Sequence, residues 1–229
     1  MSKTHFDLIA SQYENSLPAH INQHYLVKRV RYIQNIRREG LLLDVGCGTG
    51  TMTQALADSG FRAFGVDQSV EMLRIAESKR KGYHLQATAK DLPFSKEQFH
   101  VVITIATLHH FADHDLIEHA IGEMLRVVRP GGHLLIWDHN PRNPYWKLLM
   151  KRVPQDSGEE RLISHQEILV ILAKHQEIIE TIQIMNSGFI PDFVPNFLMP
   201  AARILEALFE KIPLIKKIAA HNVILVQRG

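Results

Sequence analysis

Leu41-Leu42-Leu43-Asp44-Val45-Gly46-Cys47-Gly48-Thr49-Gly50 decides how this chain folds. An apolar run ends in an acid, and three glycines follow at alternate positions. A helix-compatible segment, Thr51 to Ser59, comes next. Together they read as a buried parallel strand, a tight turn and a helix N-terminus, where bare backbone can approach a ligand closely.

Strands and helices alternate outward from that stretch. Ala63–Val66 is a second strand ending in Asp67, and Ser69 caps a helix over Val70–Arg80. Gly82–Ala87 is a weak third strand and Phe99–Ile105 a strong, β-branched fourth. Asp115–Val128 has helical apolar spacing. Pro130-Gly131-Gly132 is a turn, and His133–Trp137 is a fifth strand. This alternation predicts βαβ units and a mostly parallel sheet. Upstream, Phe6–Glu14 reads as a short helix and His24–Arg38 as a basic amphipathic helix ending before Gly40. Downstream lie a loop at Asn140–Pro144 and a short helix at Tyr145–Lys151. A capping box at Ser164–Glu167 opens a helix to about Lys174. Ile178–Ile184 and Asn222–Gln227 are the last strands. Between them, Ala201–Glu210 and Leu214–Ala219 are helical, broken at Pro213.

The chain has 229 residues, 45% hydrophobic and 22% charged, which suits one large α/β domain. A net charge of +2 is too mild to imply nucleic-acid binding, so DNA is not an expected partner. One cysteine rules out an internal disulfide. No leader segment or spanning apolar run is evident, so a cytoplasmic location is expected. Fourteen histidines are many, but His109/His110 and His114/His119 match no metal-ligand spacing, and no metal is expected.

A dinucleotide fingerprint needs G-x-G-x-x-G, whereas Thr51 stands where the third glycine would be. The G-K-[ST] of a phosphate loop is also absent. Asp67, some 20 residues on, sits where a carboxylate can take both hydroxyls of a ribose.

Asp44-Val45-Gly46-Cys47-Gly48-Thr49-Gly50 closely resembles the first motif of class I S-adenosylmethionine-dependent methyltransferases. Gly65-Val66-Asp67-Gln68-Ser69, Asp91-Leu92-Pro93-Phe94, Leu108-His109-His110-Phe111 and Leu125–Gly132 resemble that family's later segments, in order, across residues 1–140. The nearest branch is similar to ubiquinone- and menaquinone-biosynthesis methyltransferases acting on small molecules. The resemblance implies a three-layer Rossmann-like sandwich. Its seven-stranded sheet is mostly parallel, with an antiparallel last strand and a helical cap inserted before it. It also implies an N-terminal lid (1–40), a cofactor core (41–140) and a substrate-side half (141–229).

The cofactor implied is S-adenosyl-L-methionine, with S-adenosyl-L-homocysteine as product. By position, Asp44, Gly46, Cys47, Gly48 and Gly50 border the methionine moiety, and Asp67 with Gln68 the ribose. Thr88, Ala89 and Lys90 edge the adenine, Ile105, Ala106 and Thr107 close the other side, and Tyr13 is the lid tyrosine. Thr88 is a departure, because many members carry Asp there.

Methyl transfer from a sulfonium needs alignment and exclusion of water, and a base only where the acceptor must lose a proton. His109, His110 and His139 are the candidate bases, with Asp138 beside them. Cys47 has no partner base and is not expected to act as a nucleophile. Residues 186–220 interleave Phe189, Phe193 and Phe197 with Pro191, Pro195 and Pro200, suggesting a lid for an apolar acceptor, with contact to a membrane surface. The leading expectation is an enzyme methylating O or C of a small apolar molecule. Alternatives are a tRNA acceptor, which the basic N-terminal helix leaves open, a protein acceptor, and a non-catalytic cofactor-binding regulator.

Overall fold

The computed structural model describes residues 4–111, 113–156 and 160–229. Its sheet contains β1 (Gly40–Val45), β2 (Phe61–Asp67), β3 (Tyr83–Gln86), β4 (Phe99–Ile105), β5 (Val128–His139), β6 (Ile179–Ser187) and β7 (His221–Arg228). They lie side by side as β3-β2-β1-β4-β5-β7-β6. β1 to β5 pair in parallel, and β7 runs antiparallel to both neighbours. The order turns back between β1 and β4. Loops leaving those two strands diverge and open a crevice at their carboxyl ends.

The core follows from covering both faces of a parallel sheet. On one face α5 (His114–Val127) and α7 (His165–Ala173) bring Ile117, Ile121, Ile168 and Leu172 against Leu43, Val102 and Leu134. On the other, α2 (Ala19–Ile36) and α3 (Thr51–Asp58) set Ile33 and Leu56 against Leu42, Val101, Ile103 and Trp137. α4 (Val70–Lys79) starts at Ser69, whose hydroxyl accepts from Met72 N–H. α7 has the expected capping box between Ser164 and Glu167. α1 (His5–Tyr13) has one too, between Thr4 and Asp7. The second oxygen of Asp7 accepts from Ser69 Oγ at 2.6 Å and Glu71 N–H at 3.2 Å, fastening α1 to the head of α4.

Several boundaries differ from the sequence reading. α2 begins at Ala19, directly after Pro18, rather than at His24. Its early apolar residue Ile21 packs with Ile190 and Met199, a partner that local periodicity cannot reveal. Gly40 opens β1 rather than closing α2. Its φ of 122° fits a position where a Cβ would lie 2.9 Å from the His100 ring. β5 is longer than expected and runs through Pro130-Gly131-Gly132. A register shift between Phe99 and Val101 absorbs the extra residues, and Asp138 and His139 end the strand. α6 is only Trp146–Leu149. In the cap, α8 spans Met199–Phe209, and the segment after Pro213 makes a 3₁₀ turn, Ile215–Ile218, instead of an α-helix. No described helix is long and apolar enough to cross a membrane.

Candidate active site

The glycine loop is laced to β2. Gly46 and Cys47 N–H both donate to Val66 O, at 2.8 and 3.0 Å. A Cβ on Gly46 would meet Thr107 Oγ1 at 2.4 Å, so glycine there lets the loops after β1 and β4 touch. A Cβ on Gly48 would meet only Tyr13 Cε1, at 3.9 Å. That bare backbone, at φ 53°, therefore borders open space. Gly50 has a different role from the one expected. Its Cβ would strike His84 and Ala76, so it packs the start of α3 against α4 and β3, away from the ligand space. Cys47 is buried, and burial pushes its thiol well above its ordinary value, which suits packing rather than nucleophilic attack.

Asp67 takes Gly48 N–H on one oxygen (2.8 Å) and Ser69 N–H on the other (2.9 Å), which aims the carboxylate across the loop. Asp44 is 2% exposed and accepts from Thr53 Oγ1 at 2.8 Å. Burial raises its pKa to about 7. Facing them from α2 is Arg29. Its guanidinium lies 5.8 Å from the rings of both Tyr25 and Trp137. Its buried Nε has no hydrogen-bond partner among the described residues. A buried guanidinium left in this way suits an anionic ligand group.

These groups line two neighbouring cavities that share Tyr13, Gly46, Ala106 and His110 as walls. The smaller, about 70 Å³, is bordered by Gly48, Asp67, Gln68, Met72, Ala87, Ala89, Thr107 and Phe111. The larger, about 640 Å³, takes in Asp44, Cys47, Arg29, Ile105, His109 and His139. Thr88 and Lys90 line neither. Thr88 instead closes a small bridge with Asp91, and Lys90 points to solvent. Ala106, a wall of both cavities, has φ 52° and its N–H on Trp137 O at 2.8 Å. A left-handed alanine at such a place is the kind of local strain that binding sites hold.

The three candidate histidines do converge. Asp138, buried at the end of β5, accepts from Leu108 N–H (2.8 Å) and binds His109 Nδ1 at 2.6 Å. His139 Nδ1 lies 3.0 Å from His109 Nδ1. Burial pushes Asp138 up, but the His109 charge and hydrogen bond outweigh it and hold Asp138 well below the carboxylate range. Burial also lowers His109, yet Asp138 more than compensates and its pKa is raised. Burial and the neighbouring His109 charge bring His139 down to about 4 and His110 to about 3. Both are neutral imidazoles at neutral pH and can accept a proton. Asp138 does not line the cavity; it positions His109 and His139.

Residues 43–136, which carry this loop and these strands, match the methyltransferase domain family. Over that stretch the chain is similar to methyltransferase domains. The chain is 33% identical over 132 residues to a probable tRNA methyltransferase 9B of Mus musculus, covering 56% of this chain and 29% of that protein. It is 33% identical over 153 residues to a demethylmenaquinone methyltransferase of Chlorobaculum parvum, covering 63% of this chain and 62% of that one. It thus spans less than two thirds of either relative. In fold it is similar to an S-adenosylmethionine-dependent methyltransferase from Thermotoga maritima described as a possible histamine N-methyltransferase. The TM-score is 0.71 at 18% identity, over 98% of this chain and 99% of the other.

Several walls of the larger cavity were not anticipated from the sequence. Arg29, Tyr25 and Ile21 come from α2, and Tyr145, Trp146, Gln155 and Asp156 from the segment after β5. Arg29 carries the one readable signal, a cation on the otherwise apolar face of an amphipathic helix. The cap enters only with Phe189–Phe193. Phe197, Leu205 and Leu208 lie outside and are exposed, so α8 is not a wall of the cavity.

Proposed function

We propose that this protein transfers a methyl group from S-adenosylmethionine to a small, largely apolar acceptor. The observation that carries the reading is the pair of neighbouring cavities that share Tyr13, Gly46, Ala106 and His110 as walls, with a cofactor's complement of groups around one side. Arg29 supplies the charge for a carboxylate and Asp44 that for an amine. Asp67 supplies the acceptors for a ribose diol, and Met72, Ala87, Ala89 and Phe111 form the apolar slot for a base. Gly48 leaves the space that backbone–ligand contact needs. The bound cofactor would supply a methyl group already activated on a sulfonium.

The chain's own part is alignment and the exclusion of water. Tyr13 and α2 close one side, and Phe189, Phe193, Tyr145 and Trp146 line the acceptor side. Where the acceptor is a hydroxyl, His139 takes its proton. Its ring sits edge-on to Trp146 with centroids 3.6 Å apart, and Asp138 holds it from below. Calorimetry with S-adenosylmethionine and S-adenosylhomocysteine tests the premise. Binding that Asp67→Ala weakens supports the reading, and absence of binding overturns it. Mass spectrometry of cell extracts incubated with labelled cofactor then identifies the acceptor.

A second element of the proposal concerns the cap. Phe193, Phe197, Ile204, Leu205, Leu208 and Leu214 are all at least half exposed, with Arg203, Lys211, Lys216 and Lys217 among them. Apolar residues rimmed by cations suit delivery of a lipid-like acceptor from an anionic membrane surface. Flotation with anionic vesicles is expected to carry the protein upward. No flotation, combined with modified tRNA in the extract experiment, would favour the tRNA reading instead.

A further inference from the structure

One wall of the larger cavity gathers side chains that could ligate a metal. His109, His110 and Asp156 each offer one ligand atom there, and these atoms lie within 4.8 Å of one another. All three residues line the cavity. His109 Nε2 is 3.9 Å from Asp156 Oδ1, and His110 Nδ1 is 3.8 Å from Glu160 Oε1. Those separations are too long for hydrogen bonds. The His109–Asp156 separation is about half an ångström wider than the roughly 3.4 Å between neighbouring donors around a tetrahedral ion with bonds of about 2.1 Å, and a ring nitrogen of His110 lies within 4.8 Å of both.

The strongest sign is what lies behind His109. Its other ring nitrogen, Nδ1, is fixed 2.6 Å from the buried carboxylate of Asp138, which Leu108 N–H and His139 N–H also hold. A carboxylate that orients a histidine through one nitrogen while the other faces a second donor is the usual outer support of a metal-bound imidazole. By contrast, His109, Asp138 and His139 form a second candidate cluster whose donors already bond to each other.

We propose that His109 Nε2, His110 and Asp156 form a divalent transition-metal site opening into the acceptor cavity. Two imidazoles with carboxylate select Zn²⁺, Mn²⁺ or Fe²⁺ over Mg²⁺ or Ca²⁺. The remaining coordination positions face the cavity, where an oxygen or nitrogen of an acceptor can reach them. The metal's binding stands independently of the methyl-transfer reading.

The test uses the full chain without an affinity tag, stripped with a chelator and dialysed against Zn²⁺, Mn²⁺ or Fe²⁺ with no S-adenosylmethionine present. Elemental analysis is expected to find about one tightly held equivalent, and Co²⁺ loading to give visible ligand-field bands from imidazole coordination. His110→Ala combined with Asp156→Ala is expected to abolish that equivalent. Asp138→Asn, which leaves every ligand in place, should weaken it about 10- to 100-fold. Urea unfolding of the variants checks that they are folded. No retained metal, or an equivalent that survives intact in the folded double variant and so belongs to surface histidines, would overturn the proposal. Cofactor calorimetry on the same metal-free preparation reports separately on methyl transfer.

Discussion

The two sides of the crevice are built by different means. The cofactor side, β1, β2 and β4 with their loops, is held by backbone: Gly46 and Cys47 on Val66 O, Gly48 on Asp67, Ala106 on Trp137 O. The cap side is held by side chains reaching across the chain to α2. Tyr25 Oη donates to Ile190 O at 2.9 Å, and His20 Nε2 lies 2.7 Å from Val194 O. Buried Glu206 receives His24 and Lys28 at 2.8 and 2.9 Å and accepts Phe189 N–H at 2.8 Å. Glu210 adds a 2.5 Å pair with Lys28 and accepts from Gly188 N–H. Backbone geometry tolerates almost no change in the loop. A side-chain strap can be loosened while the cofactor half stays intact.

That contrast is most sharply broken at the loop itself. Gly46→Ala puts a methyl within 2.4 Å of Thr107 at φ 81°, a conformation that costs an alanine about 1–2 kcal/mol before the clash. Cofactor affinity measured by calorimetry should fall at least about 100-fold. An affinity within threefold of wild type would mean that the loop is less rigid than its hydrogen bonds imply.

Glu206→Gln attacks the other side. Although burial raises this carboxyl, its bonds to His24 and Lys28 prevail and lower its pKa to about 2, from an ordinary 4.5. A depressed carboxyl stabilises the fold fully above the unfolded value and loses that contribution as pH falls through the folded one. The variant should be roughly 3 kcal/mol less stable at pH 7, with the gap narrowing below pH 4.5 and closing toward pH 2. Hydrogen exchange should quicken in 188–220, while cofactor affinity shifts less than about twofold. Equal loss of protection in β1 and β4 would show that the two sides unfold as one.

Arg29→Met belongs to both sides, because α2 carries the arginine as well as the strap. Losing one charged hydrogen-bonding partner is worth about 1.5–3 kcal/mol, so affinity for S-adenosylmethionine should drop about 10- to 100-fold. Decarboxylated cofactor analogues should bind wild type and variant alike. A loss shared by those analogues would assign Arg29 to the acceptor instead.

The smallest effect expected is with pH. Burial leaves the Asp44 carboxyl near 7, and its ionised form is the one that holds an amine. Affinity should therefore rise between pH 6 and 8, up to about tenfold. A flat profile would separate Asp44 from the ligand's amine.

Where sequence reading succeeded, short-range physics carries the information. β4 is matched at both ends because Phe99–Ile105 is a β-branched run buried on both faces. Ser69 and Ser164 cap helices through bonds to residues three positions away. Asp67 stands near the glycine loop because β1 and β2 are adjacent parallel strands whose ends coincide. Thr88 and Lys90 fared worse. The segment after short, exposed β3 turns back on itself at Thr88–Asp91, which strand periodicity does not encode.

The sequence by itself determined the sheet, the glycine loop and the acids at its rim, because each rests on neighbours within one βαβ unit. Only the tertiary structure decided what faces them. Arg29 reaches the loop because α2 packs across Trp137. Asp156 meets His109 across 47 residues of sequence. The cap contributes Phe189–Phe193 and leaves α8 outside. Long-range side-chain contacts depend on where several elements dock together, and no local pattern of residues specifies that.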